Sequence, residues 1–451
     1  MPPVLFHSTN GRSPAVNLRE ALLIGQAPDC GLYFPKAFPQ LTPEEIRGFT
    51  DLPYHEIAFR VLSRYTDGIL PEDVLAALCR EAYTFDVPLE HAFDRVYLMR
   101  LDRGPTASFK DFAAQMMGRL IGRFVQEDGK QLTILTATSG DTGSAVAHAF
   151  HNLPGIRVIV LFPEAEISRR QRKLMTVLAG NVTAVAIDGK FDDCQAMVKR
   201  AFADPALKAI ALSSANSINI GRLLPQSVYY FYAASRLARA GEPMVFSVPS
   251  GNFGDMMGAV VAKQMGLPIR KLIASVNDND AFPRLLSTGV YQKVVPSRNS
   301  ISNAMNVGHP SNLARLVSVY GGHMDETGRI HALPDLEAMR RDVFSSSVSD
   351  QRTREAFLEF YAKYQLLLEP HGAVAWQGLK DWMETEALED LPAVLLETAD
   401  PAKFPELIEQ AFGWSPDAPP AMAAMDDMPE QYDRMGTDYE TFREFLIGQH
   451  A

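Results

Sequence analysis

Leu132 to Phe150 reads LTILTATSGDTGSAVAHAF. Leu132–Thr136 has the length and character of a buried strand. Thr138 to Gly143 is a turn of small and polar residues, and Gly143–Phe150 returns to helical spacing. A strand that passes through a Gly-rich turn into a helix sets backbone N–H groups and hydroxyls at a helix N-terminus, which suits a phosphate or carboxylate. Met244 to Met265, MVFSVPSGNFGDMMGAVVAKQM, repeats the arrangement, with strand Val245–Val248, turn Pro249 to Gly254 and a helix from Asp255. Neither turn is a Walker A or a G-x-G-x-x-G fingerprint. One glycine turn between strand and helix can equally serve packing alone. Two, each following a strand, imply two anionic groups bound at strand C-terminal ends.

Outward from these turns the same texture continues. Further strands are expected at Val158–Phe162, Val182–Ile187, Ile210–Ser213, Leu272–Val276 and Ala393–Leu396. Helices are expected between most of them, at Phe109–Phe124, Ser168–Leu178, Cys194–Ala203 and Arg222–Ala240. Such alternation predicts parallel sheets covered by helices on both faces. Residues 1–93 read as a helical N-terminal domain. Asn17 to Ile24 has apolar residues at helical spacing, Thr42-Pro43-Glu44-Glu45 is a helix start, and Pro71 opens a helix through Tyr83. The expected core is 94–400, with a smaller subdomain over about 110–235. Residues 401–451 form the C-terminal part, in which Trp414 to Tyr439 is an extended strap and a last helix docks back.

Leu101 to Leu120, LDRGPTASFKDFAAQMMGRL, places Lys110 in the first turn of a helix that Ser108 is expected to cap. The helix dipole is positive there and favours the neutral amine, as a nucleophilic lysine requires. Taken alone, the position also suits a solvated surface lysine. Two anion cradles shift the reading toward a pyridoxal-phosphate (PLP) enzyme acting on an amino acid, with one cradle for the cofactor phosphate and one for the substrate.

Bulk properties narrow the classes. The chain has 451 residues, 47% hydrophobic and 22% charged, with formal net charge -11. That length predicts two or three domains. An acidic surface repels nucleic acid and anionic membranes, so an anionic substrate needs a local positive site. Cys30, Cys79 and Cys194 are scattered and odd in number, which argues against a disulfide framework or zinc site and for a reducing, cytoplasmic setting. No apolar run reaches membrane-spanning length.

Six motifs follow one another in the order of a known family: G-P-T-x-x-F-K-D-F at 104–112, T-A-T-S-G-D-T-G at 136–143, S-A-N-S-I-N at 214–219, V-P-S-G-N-F-G-D at 248–255, E-P-H-x-A-V-A at 369–375 and P-A-K-F at 401–404. With Gly31-Leu32-Tyr33-Phe34-Pro35 near the start, they make nearly the whole chain resemble the threonine synthases, in their longer bacterial and fungal form. The resemblance implies an α/β fold of type II, in which two open sheet domains hold PLP in the cleft between them, beside a helical N-terminal domain. It implies that Lys110 carries the cofactor. Ser250, Gly251, Asn252, Phe253 and Gly254 would hold its phosphate, flanked by Asp255, and Thr398 would face the pyridine nitrogen. Ser139, Gly140, Asp141 and Thr142 would bind substrate, with Asn216 and Arg222 lining the same cleft. Glu369 and His371 are either an acid/base pair or structural.

Two departures stand close to Lys110. Arg103 replaces the family's usual His before Gly-Pro-Thr, and Ala107-Ser108 replace its Leu-Ala. Arg103 either clamps a substrate phosphate or pairs with Asp102 or Asp111 at the surface. The implied reaction turns O-phosphohomoserine and water into threonine and phosphate, in a monomer or homodimer without metal. A phospho-lyase releasing 2-oxobutyrate and ammonia, and an inactive binding protein on the same fold, are the alternatives.

Overall fold

The computed structural model describes residues 3–449. Two mainly parallel sheets organise it. The larger has six strands in the spatial order Val343–Ser347, Ile269–Val276, Met244–Pro249, Ala393–Glu397, Val96–Arg100 and Leu89–Phe93. All neighbours are parallel except the last pair, a hairpin. The smaller has five, in the order Asp433–Met435, Val182–Ile187, Ile156–Pro163, Leu132–Ala137 and Leu212–Ser213, all parallel. Strands such as Leu132–Ala137 and Met244–Pro249 are buried at every residue, as strands covered on both faces must be.

Both Gly-rich turns therefore lie where expected, at the C-terminal ends of central strands. The helices they open span Asp141–Phe150 and Gly254–Gln264. The Lys110 helix spans Lys110–Asp128 and packs on the first of these. Gly118 permits the close approach: a Cβ there would sit 2.6 Å from the Ala149 carbonyl oxygen.

The structure departs from the expected elements in several places. Ser108 does not cap the Lys110 helix, because no side chain does and Phe109 stands at the N-cap in helical conformation. Ser108 instead bridges to Ala399 in an antiparallel pairing. The single helix expected over Arg222–Ala240 is two 3-10 turns, Ile220–Arg222 and Leu224–Gln226, followed by a helix at Ser227–Leu237. Pro225 lacks the N–H that would carry one helix through. The N-terminal segment is helical over Leu18–Ile24, Pro43–Arg47, Tyr54–Thr66 and Glu72–Ala82, but it also holds a two-stranded sheet, Phe6–Ser8 with Tyr33–Pro35. Leu89–Phe93, inside the expected helical domain 1–93, is an edge strand of the larger sheet.

The C-terminal strap crosses from the larger sheet to the smaller. Arg172 meets Glu430 at 2.8 Å, and Lys173 Nζ donates to the Met425 and Met428 carbonyls. Asp433–Met435 then adds the edge strand, and the helix Tyr439–Gly448 packs on Phe191–Ala203 with Phe442 fully buried.

Candidate active site

The main chain before the Lys110 helix runs against the end of strand Ala393–Glu397. Phe109 N–H donates to the Thr398 carbonyl at 2.9 Å, and Asp400 N–H donates to the Ala107 carbonyl at 3.1 Å. This clip sets Lys110 beside Thr398, although 288 positions separate them in the chain. Asp111 braces the turn before it, accepting from Thr106 N–H at 2.8 Å and Thr106 Oγ1 at 2.7 Å.

Lys110 has a side chain 14% exposed, and its Nζ lies 3.4 Å from Asp141 Oδ2. The other carboxylate oxygen takes Lys403 Nζ at 3.0 Å and Gln171 Nε2 at 3.2 Å. Lys403 is wholly buried. Burial lowers the Lys110 pKa, with the neighbouring cations Lys403 and Arg222 adding to it against the opposing charges of Asp141 and Asp255. Burial alone would raise Asp141, but Lys403 and Lys110 hold it far below the usual carboxylate range. The shift at Lys110 is toward the neutral amine, and its causes are desolvation and the neighbouring cations.

The turn Thr138–Gly143 is partly filled by its own side chain. Thr138 Oγ1 accepts from Gly140 N–H at 2.9 Å and Gly143 N–H at 2.8 Å. Among the described residues the amides of Ser139, Asp141 and Thr142 donate to no acceptor.

The second turn is more open. Ser250 N–H is taken by the Ser275 carbonyl at 2.7 Å, but the amides of Gly251, Asn252, Phe253 and Gly254 find no acceptor among the described residues. They form a nest at the start of helix Gly254–Gln264. Phe253 holds a left-handed conformation at φ 61°, uncommon for a bulky residue, and packs edge-on against Phe282. Gly251 is required where it stands, since a Cβ would meet the Met305 Cα at 2.8 Å. Asn252 braces the loop, donating to Ser217 Oγ at 2.6 Å and accepting from Ser311 N–H at 2.7 Å. Asp255 is buried with Oδ2 unpartnered, and burial pushes its carboxyl up to about 6.

Arg222 and Asn216 lie on the segment that joins the two turns. Asn216 Nδ2 donates to the Ala137 carbonyl at 2.9 Å, fixing the segment to the strand end. Arg222 is 3% exposed, donates from Nη1 to the Ala215 carbonyl at 2.6 Å and leaves Nε without a partner. It forms no ion pair among the described residues, and burial pushes its guanidinium down to about 10. The N-terminal region supports this segment: Arg315 donates to the carbonyls of Tyr33 at 3.0 Å and Ser217 at 3.0 Å.

Arg103 stands apart. Its side chain is 39% exposed and lies 3.7 Å from Asp102, a buried carboxylate that also pairs with Arg100. His371 uses both ring nitrogens. Nε2 accepts from Ala304 N–H at 3.1 Å, so Nδ1 carries the proton given to Glu369. Glu369 also caps the helix Pro370–Met383 and accepts from Thr398 Oγ1 at 3.1 Å. Through these contacts the pair caps a helix and braces Thr398. Lys403 is the member of the cluster that the motif reading left without a role. The signal available was a lysine in an apolar turn immediately after a strand's C-terminal end.

The described residues contain no group of three or more His, Cys, Asp or Glu side chains placed to hold a metal. The donor set fits PLP: an amide nest at a helix start for a phosphate, a lysine of lowered proton affinity, and a hydroxyl at a strand end between them. Residues 85–398 match the family described as pyridoxal-phosphate dependent enzyme. Residues 5–83 match the threonine synthase N terminus, and residues 372–446 the threonine synthase C-terminal family. The threonine synthase of Haemophilus influenzae is 40% identical over 96% of this chain and 97% of its own.

The chain belongs to the threonine synthase family.

A PLP-bound threonine synthase from Brucella melitensis superposes with TM-score 0.90 at 35% identity, covering 98% of each chain. The Escherichia coli threonine synthase structure gives 0.88 at 35% identity, over 99% of this chain and 100% of that one. The fold is accordingly the type II fold of PLP enzymes, and the cofactor is pyridoxal phosphate. No helix among the described residues is long and apolar enough to cross a membrane.

Proposed function

We propose that this threonine synthase family enzyme converts O-phosphohomoserine and water to L-threonine and phosphate, with Lys110 holding the cofactor. The observation that carries the substrate reading is Arg222: a buried guanidinium that acts on Lys110, feels Asp111 from beyond contact, and forms no ion pair among the described residues. An unpaired buried charge costs several kcal/mol, roughly, unless a ligand supplies the opposite sign. A phosphate matches the fork of a guanidinium, and Arg222 has Nε free to donate.

Bound PLP supplies the electron sink that lets a proton leave the carbon bearing the amino group. The nest of Gly251 to Gly254 would hold the cofactor phosphate, with Ser250 fixing the loop and Asp255 flanking it. Thr398 would stand at the pyridine nitrogen, where a hydroxyl brings no charge to retain a proton. Ser139, Gly140, Asp141 and Thr142 would orient the substrate through the free amides of their turn, and Asn216 would hold the opposite wall. Lys110, once released by substrate, would carry protons at Cα and Cβ. In the overall reaction the Cγ–O bond to phosphate breaks and a C–O bond to water's oxygen forms at Cβ. Arg222 would keep the phosphate near the reacting carbons. A cytoplasmic enzyme acting as monomer or homodimer belongs to the same reading, and Cys30, Cys79 and Cys194 are all free thiols.

Borohydride reduction of the holoenzyme followed by peptide mapping tests the assignment of Lys110. The expected label is on Lys110, and Lys110→Ala is expected to abolish turnover while the chain stays folded, since Asp141 keeps Lys403. Label on Lys403, the other ammonium in the cluster, would move the role to that residue.

A further inference from the structure

Asp141 serves two ammonium groups at once. Lys403 Nζ sits 3.0 Å from Oδ1 and is completely buried, whereas Lys110 Nζ reaches Oδ2 at 3.4 Å and keeps 14% of its side chain exposed. The two lysines arrive from opposite directions in the chain: Lys110 opens the helix Lys110–Asp128, and Lys403 closes the 3-10 turn Pro401–Lys403. Gln171 fills a further site on the carboxylate at 3.2 Å. A wholly buried ammonium is tolerated only beside an ionised partner. Lys403 therefore commits Asp141 to its charged form and takes most of its attraction. Lys110 meets a carboxylate already neutralised.

We propose that Asp141 and Lys403 are positioning residues for Lys110: the carboxylate holds the released amine against the Ser139 to Gly143 turn, and the second ammonium on that carboxylate keeps the hold weak enough for the amine to give up its proton. The proposal rests on the reading of Lys110 as the cofactor's lysine. The other groups acting on Lys110 are Arg222, which disfavours its charge, and Asp255, which favours it; the Phe109 ring lies 4.5 Å from Nζ. Asp111, on the same helix, acts on Arg222, and His371 acts on Asp141 and Asp255. Against that background the pair has opposed effects on one amine. A carboxylate without its lysine would hold the proton on Lys110 and blunt it as a base. A lysine without its carboxylate would drive the proton off and leave no acid for the return step.

The opposition makes the test specific. Asp141→Asn and Lys403→Gln each remove one charge and keep a hydrogen-bonding group. In the holoenzyme, the absorbance of the bound cofactor against pH reads the charge on the Lys110 nitrogen, and the acid limb of kcat reads its use as a base. Asp141→Asn is expected to move both midpoints down by about one pH unit, a roughly tenfold loss of proton affinity. Lys403→Gln is expected to move both up by about as much, and Lys403→Arg, which keeps the charge, to stay within a few tenths of the parent. Shifts in the same direction, or no shift, would overturn the proposal. If Asp141→Asn, which leaves the buried Lys403 ammonium without its carboxylate, yields no folded protein, Lys403→Gln decides alone: an upward shift supports the proposal and a static or downward one refutes it. Borohydride label absent from Lys110 in the parent enzyme would remove the underlying reading instead, independently of either shift.

Discussion

Arg222 and Arg103 carry the same charge and opposite expectations. Arg222 is buried with no ion pair among the described residues, Asp111 acting on it only from beyond contact, so removing it relieves the fold of a poorly compensated cation while depriving a phosphorylated substrate of its partner. Arg222→Ala is expected to weaken substrate binding by roughly 2–4 kcal/mol, about 30- to 1000-fold in KM, with no loss of melting temperature. Arg103→Ala removes a part-exposed guanidinium from beside Asp102, a buried carboxylate that Arg100 already pairs, and is expected to change KM less than about twofold. Steady-state kinetics and a thermal melt on the two variants check both statements, and a large KM effect confined to Arg103→Ala would return the clamp to that residue. Local patterning draws attention to Lys110 and the amide-rich turns, which stand at helix starts, whereas Thr398 is named only through the family resemblance. The same patterning hides Lys403. Its partner Asp141 lies 262 positions away, and such a pairing leaves no local trace.

Helix starts at this site carry acids whose surroundings differ sharply. Asp141 opens one helix beside two lysines, and Asp255 lies in the first turn of another with one oxygen unpartnered. The second arrangement stores a pH-dependent cost. The folded-state pKa of Asp255 is raised to about 6 from an ordinary 3.8, so the folded chain bears the expense of an ionised buried carboxylate above pH 6. That expense fades as pH falls through 6 and is gone near 3.8, where the unfolded chain also takes up the proton. Asp255→Asn is expected to stabilise the cofactor-free chain by about 2–3 kcal/mol at pH 8 and by little at about pH 4. Urea unfolding at the two pH values measures the difference; equal effects at both would mean the carboxyl is not perturbed. The element boundaries that failed did so for tertiary reasons. Ser108 has the composition of a cap, but its backbone is drawn into pairing with Ala399, and Pro225 divides a stretch that hydropathy alone reads as one helix. The hairpin Leu89–Phe93 with Val96–Arg100 went unread because its edge strand is half-exposed and mixes charged with apolar residues.

Two mainly parallel sheets organise the whole molecule and meet at the site, where Asp141 after a strand of the smaller reaches Lys403 after a strand of the larger, and the C-terminal strap binds the end of the chain back onto the smaller sheet. The helix after the strap buries Phe442 completely beside Tyr439 and Phe445, in an apolar cluster that does not include the residues around Lys110. Phe442→Ala is expected to cost about 3–5 kcal/mol of stability, because the cavity it leaves cannot close against two fixed elements. The folded variant should keep its KM, and a denaturant titration paired with kinetics would show whether the strap also reaches the site. The alternation of strands and helices announced this architecture, since burial on both faces writes continuous apolar runs into the sequence. The chain's net charge of -11 is equally legible, and on the proposed reading the local cluster of Lys110, Arg222 and Lys403 is what would admit an anionic substrate. The central claim is that this cluster directs O-phosphohomoserine to threonine. The holoenzyme incubated with O-phosphohomoserine in oxygen-18 water, with products resolved by mass spectrometry, tests it most directly. The account predicts threonine carrying the heavy oxygen on Cβ, with one phosphate released per threonine formed. Phosphate accompanied by 2-oxobutyrate and ammonia, or no release of phosphate, would contradict it.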